Sequence, residues 1–413
     1  MTTRRAILAG ITAAASGGVA WAKTADKRFK PVEDALAALV AQNRLPSVAI
    51  RIARRGETMF EGYYSGRSRV GPDTLYRVFS MTKPVTACGV VALCEEGKLT
   101  LDTPVADLVP EFANLSVAKG SLSATEPART MTVAHLLTHC SGIASSWSGG
   151  PVAAAYRKAG LGAGSWMYKS EIGGLSGFAK RLAAIPLEFQ PGDGWLYGFS
   201  HDIAGLVVER AAGEPFGTYL RRRIFQPLAM KDTGFSVASG QGRRMADLYT
   251  QVGGATILAE AGAMSAALKP PAIESGSAGL ISTLSDYSRF ATMLTSGGAI
   301  GGARVLKPES AALMTKPFGP QDHVAAGLKK FAPFGLGGSG AGLGQALGGV
   351  VALDDSAGPG SIGEYSWGGA ASTTFWATPG RELSVVVMTQ LLPSGVVKLR
   401  DTLRPLVYAA LRD

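Results

Sequence analysis

The sequence predicts an α+β fold in which an antiparallel sheet is flanked by helices and joined by a mainly helical middle segment. Two stretches with strand character within 47–66 are separated by a turn at Arg55-Gly56. Strand character returns late, where 366–390 is typical of a hairpin that turns at Pro379-Gly380. Because the strands lie near both ends of the chain, we expect the two ends to complete one sheet.

These patterns divide the chain into three parts. Residues 1–22 are predicted to be a signal peptide, residues 23–97 and 291–413 to form the α/β sheet domain, and residues 98–290 to form a mainly helical domain. The final helix contains Pro405, where we expect a kink. A functional cleft is expected between the two domains.

The first residues have the composition of a targeting segment. Arg4 and Arg5 precede an apolar run, and Ala20-Trp21-Ala22 offers a cleavage site between small residues. The paired arginines resemble a twin-arginine export signal, and an ordinary secretory signal is the alternative. We therefore expect a periplasmic or secreted protein. No apolar stretch is long enough to span a bilayer, so no stable membrane insertion is expected.

Composition excludes several classes of function. The 413 residues are 46% hydrophobic and 17% charged, which is typical of a globular chain. The formal net charge is +10, but the basic residues are spread along the chain. Their one dense cluster, Arg221-Arg222-Arg223, is most simply a solvated helix face, and we expect no nucleic-acid partner.

The stretch FSMTK places a serine and a lysine three residues apart at the start of an apolar helix. Residues i and i+3 share a helix face, so Lys83 can reach the hydroxyl of Ser80. Burial and the positive end of the helix dipole disfavour an ammonium, which makes Lys83 a candidate general base beside a nucleophile. The spacing alone is weak, since Ser116 and Lys119 match it in a polar loop.

Two further segments accompany this pair. Tyr197 precedes another apolar helix, and a buried phenol near a lysine can relay protons. Alternatively, Tyr197 and Trp195 are only core aromatics. Gly368-Gly369 lie in a predicted strand, where missing side chains allow a ligand or another backbone to approach closely. A bulge or tight strand packing is the alternative there.

As a set, several segments resemble the serine β-lactamase-like superfamily. Its members include class C β-lactamases, D-alanyl-D-alanine peptidases and family VIII carboxylesterases. The resemblance runs from about residue 30 to the C-terminus and implies a β-lactamase-like fold. The segments that carry it are FSMTK, TVAHLLTHCSG, IFQPLAMKDTGF, GSAGLISTLSDYSRFATML and GEYSWGGAAST.

The resemblance implies a role for each matching residue. Ser80 is the acylated nucleophile, Lys83 is its base, and Tyr197 is a second base that protonates the leaving group and activates water. The oxyanion hole is formed by the backbone N–H groups of Ser80 and Ala370.

Departures from the β-lactamase pattern indicate the substrate. β-Lactamases of this superfamily carry Lys-Thr-Gly on the strand where this chain has Trp367-Gly368-Gly369, so the anchors for a drug carboxylate are lost. Phe199 replaces an asparagine that binds the acyl amide. The resemblance therefore implies that Phe199 and the segment Trp367-Gly368-Gly369 contact the substrate. Both changes resemble family VIII esterases and imply small uncharged esters. Those esterases more often have serine where this chain has Gly198.

Further candidates are weaker. His135 and His139 are four residues apart, a spacing that suits a metal on a helix, but no third ligand stands near them and packing histidines are the better interpretation. We expect no metal and no cofactor. The segments 144–180 and 236–275 are expected to wall the acyl pocket.

The sequence therefore predicts an exported serine carboxylesterase with a small-molecule ester or β-lactam substrate. A β-lactamase or D-alanyl-D-alanine peptidase is the runner-up. A penicillin-binding sensor that is acylated once without turnover is a third interpretation. The absence of a G-x-S-x-G motif argues against an α/β-hydrolase.

Overall fold

The structure is a computed structural model that describes residues 20–22, 26–162, 166–319, 321–331 and 340–411. Within these ranges the helices alternate with short 3-10 turns. In chain order they are α1 (Lys30–Ala41), α2 (Thr82–Glu95), α3 (Val105–Leu108), α4 (Val133–Leu137), α5 (Gly150–Lys158), α6 (Gly174–Ala183), α7 (Ser200–Ala212), α8 (Phe216–Leu220), α9 (Leu284–Thr295), α10 (Pro308–Met314), α11 (Val324–Phe331) and α12 (Leu399–Ala410).

The strands come mainly from the two ends of the chain. In order they are β1 (Ala20–Ala22), β2 (Ser47–Arg54), β3 (Glu57–Ser65), β4 (Tyr76–Arg77), β5 (Ser116–Ala118), β6 (Thr125–Pro127), β7 (Leu248–Val252), β8 (Ala255–Glu260), β9 (Ile281–Ser282), β10 (Ala299–Ile300), β11 (Ala303–Arg304), β12 (Leu343–Ala346), β13 (Gly349–Ala352), β14 (Tyr365–Gly368), β15 (Thr374–Thr378), β16 (Leu383–Met388) and β17 (Leu391–Leu392).

The main sheet is antiparallel throughout and has the strand order β1-β3-β2-β16-β15-β14-β13-β12. The predicted hairpins are both present, one turning at Arg55-Gly56 and the other at Pro379-Gly380. Strand β16 pairs with β2, and this pairing joins the N-terminal and C-terminal parts of the chain. The fold is therefore the predicted α+β arrangement.

Helices cover both faces of this sheet. In β16, Val385 and Val387 belong to a core shared with α1 and α12, whereas Val386 and Met388 belong to the core on the opposite face. This alternation follows from the two-residue period of a strand. On the first face α12 is also held by a buried ion pair between Arg404 and Glu364. On the other face α9 packs against β2, β15 and β16.

Helix α2 runs through the interior, as its apolar sequence predicts, and Thr82–Leu93 are buried. It packs against α7, which follows Tyr197 in the chain. The segment predicted as mainly helical, 98–290, also contains β5 to β9. The predicted boundary at 290/291 falls inside α9, whose buried residues lie against the sheet.

Most of the predicted signal peptide, 1–19, lies outside the described residues. Its last three residues, Ala20–Ala22, form β1 and pair with β3 at the edge of the sheet. Among the described helices, none combines the length and the apolar composition that crossing a membrane requires.

Candidate active site

The nucleophile candidate stands in a tight turn just before a buried helix. A 3-10 turn, Phe79–Met81, precedes α2, and Phe79 has a positive φ of 44°. A left-handed conformation is costly for a residue with a side chain and is held only by its surroundings. Ser80 therefore lies at the entrance of α2, and Lys83 lies in its first turn with 2% exposure.

Ser80, Lys83 and Tyr197 meet in a closed triangle of hydrogen bonds. Lys83 Nζ donates to Tyr197 OH at 2.7 Å and to Ser80 Oγ at 3.2 Å. Tyr197 OH donates to Ser80 Oγ at 2.5 Å. A third acceptor for Lys83 Nζ is the carbonyl oxygen of Ser277, at 2.8 Å. The structure thus brings the three predicted catalytic side chains into direct contact across 117 residues of chain.

Burial shifts the pKa values of Lys83 and Tyr197 in opposite directions. Desolvation lowers the pKa of Lys83 to about 7, and the negative charge of Asp202 acts in the opposite direction. Burial also raises the pKa of Tyr197 above its ordinary value, which the hydrogen bond with Ser80 opposes. Near neutral pH, Lys83 is therefore partly an uncharged amine that can accept a proton, and Tyr197 is a neutral phenol that can pass one on.

A cavity of about 380 Å³ opens beside Ser80. Its described lining consists of aromatic, aliphatic and small or hydroxyl-bearing residues. They are Phe79, Ser80, Trp147, Trp166, Met167, Tyr197, Phe199, Ser277, Ala278, Gly368, Ala370, Leu392, Pro393 and Ser394. Trp147 is 48% exposed, so it stands where the cavity meets solvent.

The end of β14 lies directly against the turn that carries Ser80. A β-carbon placed on Gly369 would meet the carbonyl oxygen of Val78 at 2.4 Å, so only glycine allows this approach. Ala370, the next residue, lines the same cavity as Ser80. Ser80 and Ala370, the residues predicted to supply the two oxyanion N–H groups, thus line one cavity.

The other predicted substrate contacts divide into two groups. Phe199 and Gly368 line the cavity. Trp367 and Gly369 are not part of the described lining. Trp367 is buried behind the site, and its ring centroid lies 5.9 Å from that of Tyr197. Trp367 therefore packs against the phenol ring of Tyr197, and Gly369 allows the close backbone contact with Val78.

Phe199 belongs to an aromatic cluster at the floor of the cavity. Its ring centroid lies 5.7 Å from Trp147, 5.6 Å from Trp166 and 5.3 Å from Phe178. Close packing explains the glycine at position 198, where the family VIII esterases more often have serine. A β-carbon there would come within 2.4 Å of the carbonyl oxygens of Ile143 and Ala144.

The prediction for the cavity walls is half right. Segment 144–180 contributes Trp147, Trp166 and Met167. The prediction that 236–275 forms a wall is wrong for the described lining, which instead includes Ser277 and Ala278, just beyond that segment. Within the segment 236–275, the strands β7 and β8 form a hairpin that pairs with β17 in a separate small sheet.

The two histidines of the HLLTH segment have different environments. His135 Nδ1 accepts the backbone N–H of Thr132 and caps α4. His139 lies beyond the helix end, fully buried, with its ring centroid 4.9 Å from Tyr197 and 4.8 Å from His201. Burial lowers the pKa of His139 and of His201 well below the ordinary value, so both rings are neutral. Among the described residues, no group of three candidate ligands could hold a metal ion.

Sequence reasoning missed two parts of the site. Asp202, in the first turn of α7, is fully buried and its charge acts on Lys83, and Ser277 supplies the carbonyl oxygen that Lys83 contacts. An acidic residue inside the apolar run of α7 is a signal that could have drawn attention to Asp202. Ser277 has no such signal, because its backbone makes the contact.

Comparison with known proteins agrees with this geometry. The chain matches the β-lactamase family over residues 32–409. The chain belongs to that family. This confirms the predicted resemblance and fold, and with them a serine hydrolase of the β-lactamase superfamily.

Relatives of this β-lactamase family member carry several descriptions. Esterase EstB of Burkholderia gladioli is 30% identical over 393 residues, 89% of this chain and 92% of its own length. Protein Rv1367c of Mycobacterium tuberculosis is 35% identical over 333 residues, 78% of each chain. Among solved structures, EstCE1, described as a hydrolase with promiscuous acyltransferase activity, has a TM-score of 0.77 at 25% identity and covers 93% of this chain and 99% of its own.

Proposed function

We propose that this protein is a carboxylesterase that hydrolyses small uncharged esters through an acyl-enzyme on Ser80. One observation carries the proposal: among the described residues that line the cavity, none has a charged side chain. A β-lactam or a peptide terminus presents a carboxylate, which needs a cationic partner when it leaves water. An apolar acyl chain needs none.

The geometry supports a two-step mechanism. Uncharged Lys83 takes the proton of Ser80 Oγ, directly or through Tyr197, while the oxygen attacks the ester carbonyl carbon. The N–H groups of Ser80 and Ala370 stabilise the resulting oxyanion. When the tetrahedral intermediate collapses, the proton passes through Tyr197 to the departing alkoxide, which leaves as an alcohol.

The second step repeats this proton path with water. Water enters the position vacated by the alcohol and loses a proton to the Tyr197–Lys83 pair as it attacks the acyl carbon. The proton then returns to Ser80 Oγ, and the carboxylic acid leaves. Because burial raises the pKa of Tyr197, Lys83 is the resting proton acceptor and the phenol acts as a relay.

The names of two relatives support the substrate class. EstB is called an esterase, and EstCE1 is called a hydrolase. The aromatic walls at Trp147, Trp166 and Phe199 suit a small apolar acyl group. The substrates of this chain are therefore proposed to be esters of short, uncharged acids.

A comparison of two chromogenic substrates tests the proposal. The purified protein is expected to hydrolyse p-nitrophenyl butyrate with a much higher kcat/KM than nitrocefin. The reverse ranking would make it a β-lactamase. A stable acyl adduct on Ser80 by mass spectrometry, without turnover of either substrate, would make it a penicillin-binding sensor.

The chain offers a matched control for the nucleophile. Ser80→Ala is expected to abolish ester cleavage and leave the fold intact. Ser116→Ala removes the serine of the second S-x-x-K match. Ser116 begins β5, and the exposed Lys119, just after that strand, is paired with Glu126. This control is expected to retain full activity. Activity that survives Ser80→Ala would exclude the mechanism.

We further propose that the protein is exported to the periplasm or secreted by the twin-arginine route. The support is the Arg4-Arg5 pair, the apolar run and the small residues at Ala20-Trp21-Ala22. Replacing both arginines by lysine is expected to retain the protein in the cytoplasm. Unchanged export after this double substitution would favour an ordinary secretory signal.

A further inference from the structure

Asp202 is a fully buried acidic residue whose charge acts on Lys83. Asp202 accepts hydrogen bonds from Ser275 Oγ at 2.5 Å, from Ser277 Oγ at 2.5 Å and from the backbone N–H of Ser277 at 3.2 Å. Its exposure is 0%. Within the described residues no lysine or arginine forms an ion pair with it, which is unusual for a buried acid.

The segment held by Asp202 is the one that contacts Lys83. The carbonyl oxygen of Ser277 accepts from Lys83 Nζ at 2.8 Å. The intervening Gly276 lies so close to α7 that a β-carbon would meet the carbonyl oxygen of His201 at 2.2 Å. On the other side Thr86 Oγ1 donates to the carbonyl oxygen of Gly276 at 2.7 Å. The segment 275–277 is therefore clamped between α7 and α2.

We propose that Asp202 is a positioning residue, which orients the Ser277 carbonyl toward Lys83 and supplies the buried negative charge that balances the lysine. Among the described residues its side-chain hydrogen bonds are with Ser275 and Ser277, and it is not part of the described cavity lining. The proposal rests on the proposed function in one respect only, namely that Lys83 is the base for Ser80. It differs from a purely structural anchor because it predicts an effect on the protonation of Lys83.

The direction of this effect follows from the charges around Lys83. The groups that face it are Asp202 and His201 on α7, Tyr197 before α7, and His139 after α4. Both histidines are neutral because burial lowers the pKa of each, and the phenol is neutral because burial raises its pKa. Burial raises the pKa of Asp202, but two serine hydroxyls and a backbone N–H donate to its side chain and favour the ionised form. Ionised Asp202 is the neighbour that favours the ammonium. Removing its charge should lower the pKa of Lys83.

Asp202→Asn tests this proposal because it keeps the shape of the side chain and removes the charge. The readout is the rate at which an alkyl fluorophosphonate labels Ser80, followed by intact mass spectrometry as a function of pH. In that reaction Ser80 Oγ bonds to phosphorus, fluoride leaves, and Lys83 receives the serine proton. The acid limb of the wild-type profile is expected near pH 7, set by Lys83.

In Asp202→Asn the acid limb should move to lower pH by roughly one unit, the scale of one neighbouring charge. Asp286→Asn is the matched control: Asp286 is a buried aspartate in the first turn of α9 that also accepts from a hydroxyl and a backbone N–H, those of Thr233 and Asp232. Its acid limb should coincide with that of the wild type. A folded Asp202→Asn variant whose acid limb stays in place, or moves upward, overturns the proposal.

A second variant decides the question if Asp202→Asn fails to fold. Ser275→Ala removes one hydroxyl that donates to Asp202, so the ionised side chain is less stabilised and the burial that raises its pKa meets less opposition. A smaller shift of the acid limb in the same direction supports the proposal, and an unchanged limb overturns it. Labelling does not require ester turnover, so a wild-type protein that labels at Ser80 yet cleaves no ester would contradict the proposed function alone.

Discussion

Replacing Lys83 by methionine should abolish catalysis and stabilise the fold at neutral pH. Methionine has a similar length and flexibility but carries no charge, so it fits a site that is 2% exposed without the cost of burying an ammonium. The substitution therefore separates what the site requires for chemistry from what the surrounding core would favour.

The magnitude follows from the pKa of the lysine. Burial lowers it from 10.5 to about 7, which corresponds to roughly 5 kcal/mol of unfavourable burial at about 1.4 kcal/mol per pH unit. Methionine also loses the hydrogen bond to the Ser277 carbonyl, and an unsatisfied buried acceptor costs about 1–3 kcal/mol. The expected net gain in the free energy of unfolding is about 2–4 kcal/mol near pH 7.

The pH dependence is the sharper part of this prediction. Between about pH 7 and 10.5 the unfolded chain keeps the lysine proton and the folded protein has released it, so wild-type stability rises with pH across this window. Lys83→Met lacks this gain. Its advantage over the wild type should therefore shrink by about 3 kcal/mol between roughly pH 6.5 and 9.5.

Urea unfolding followed by tryptophan fluorescence at the two pH values measures this difference, with refolding checked at each. Lys158→Met, at an exposed lysine in the last turn of α5, is the control and should change stability by less than about 0.5 kcal/mol at either pH. The reasoning is refuted if the difference between Lys83→Met and the wild type is the same at both pH values.

Three further predictions follow from the same contacts. Tyr197→Phe removes the hydroxyl that joins Lys83 to the nucleophile, and kcat/KM for p-nitrophenyl butyrate should fall by about 10²–10⁴ while the melting temperature stays close to the wild type; activity within a few-fold of the wild type would contradict the relay. Gly198→Ser introduces the residue that is commoner in family VIII esterases, but its β-carbon would lie 2.4 Å from two carbonyl oxygens. The melting temperature and kcat/KM for the ester should therefore both fall; unchanged values would show that the loop with these carbonyl groups moves aside at little cost. Arg404→Met leaves Glu364 buried without its ion-pair partner and should cost about 3–5 kcal/mol in urea unfolding, whereas a cost below about 1 kcal/mol would show that the pair is dispensable.

Much of the fold could be predicted because its signals are local. The hairpins at Arg55-Gly56 and Pro379-Gly380 and the interior path of α2 depend on turn residues and on periodicity within one element. The pairing of β2 with β16 could be anticipated only in outline, from strand character at both chain ends. Strands β5 to β9 escaped prediction because they are short and lie among helices.

In the candidate site, too, the features that depend on local spacing could be predicted, and those that depend on tertiary contacts could not. Ser80 and Lys83 share a face because they are three residues apart at a helix entrance, and such spacing needs no tertiary information. The separation of Trp367 from the cavity could not be predicted: a strand sends alternate side chains to opposite faces, and which face meets the cavity depends on what packs there. The same is true of the role of Gly198, which depends on two carbonyl oxygens of a distant loop.

By itself the sequence determined the class of chemistry, because Ser80 and Lys83 before an apolar helix occur together with Tyr197 and the GEYSWGGAAST segment. Each of these signals is local, and as a set they resemble the serine β-lactamase-like superfamily. Only the tertiary structure decided how that chemistry is tuned. The distance from Lys83 to the Ser277 carbonyl, the buried charge of Asp202 and the uncharged cavity all depend on segments that lie far apart in the chain. Desolvation and Coulomb interactions act through space, so the proton affinity of the lysine exists only once those segments have packed together.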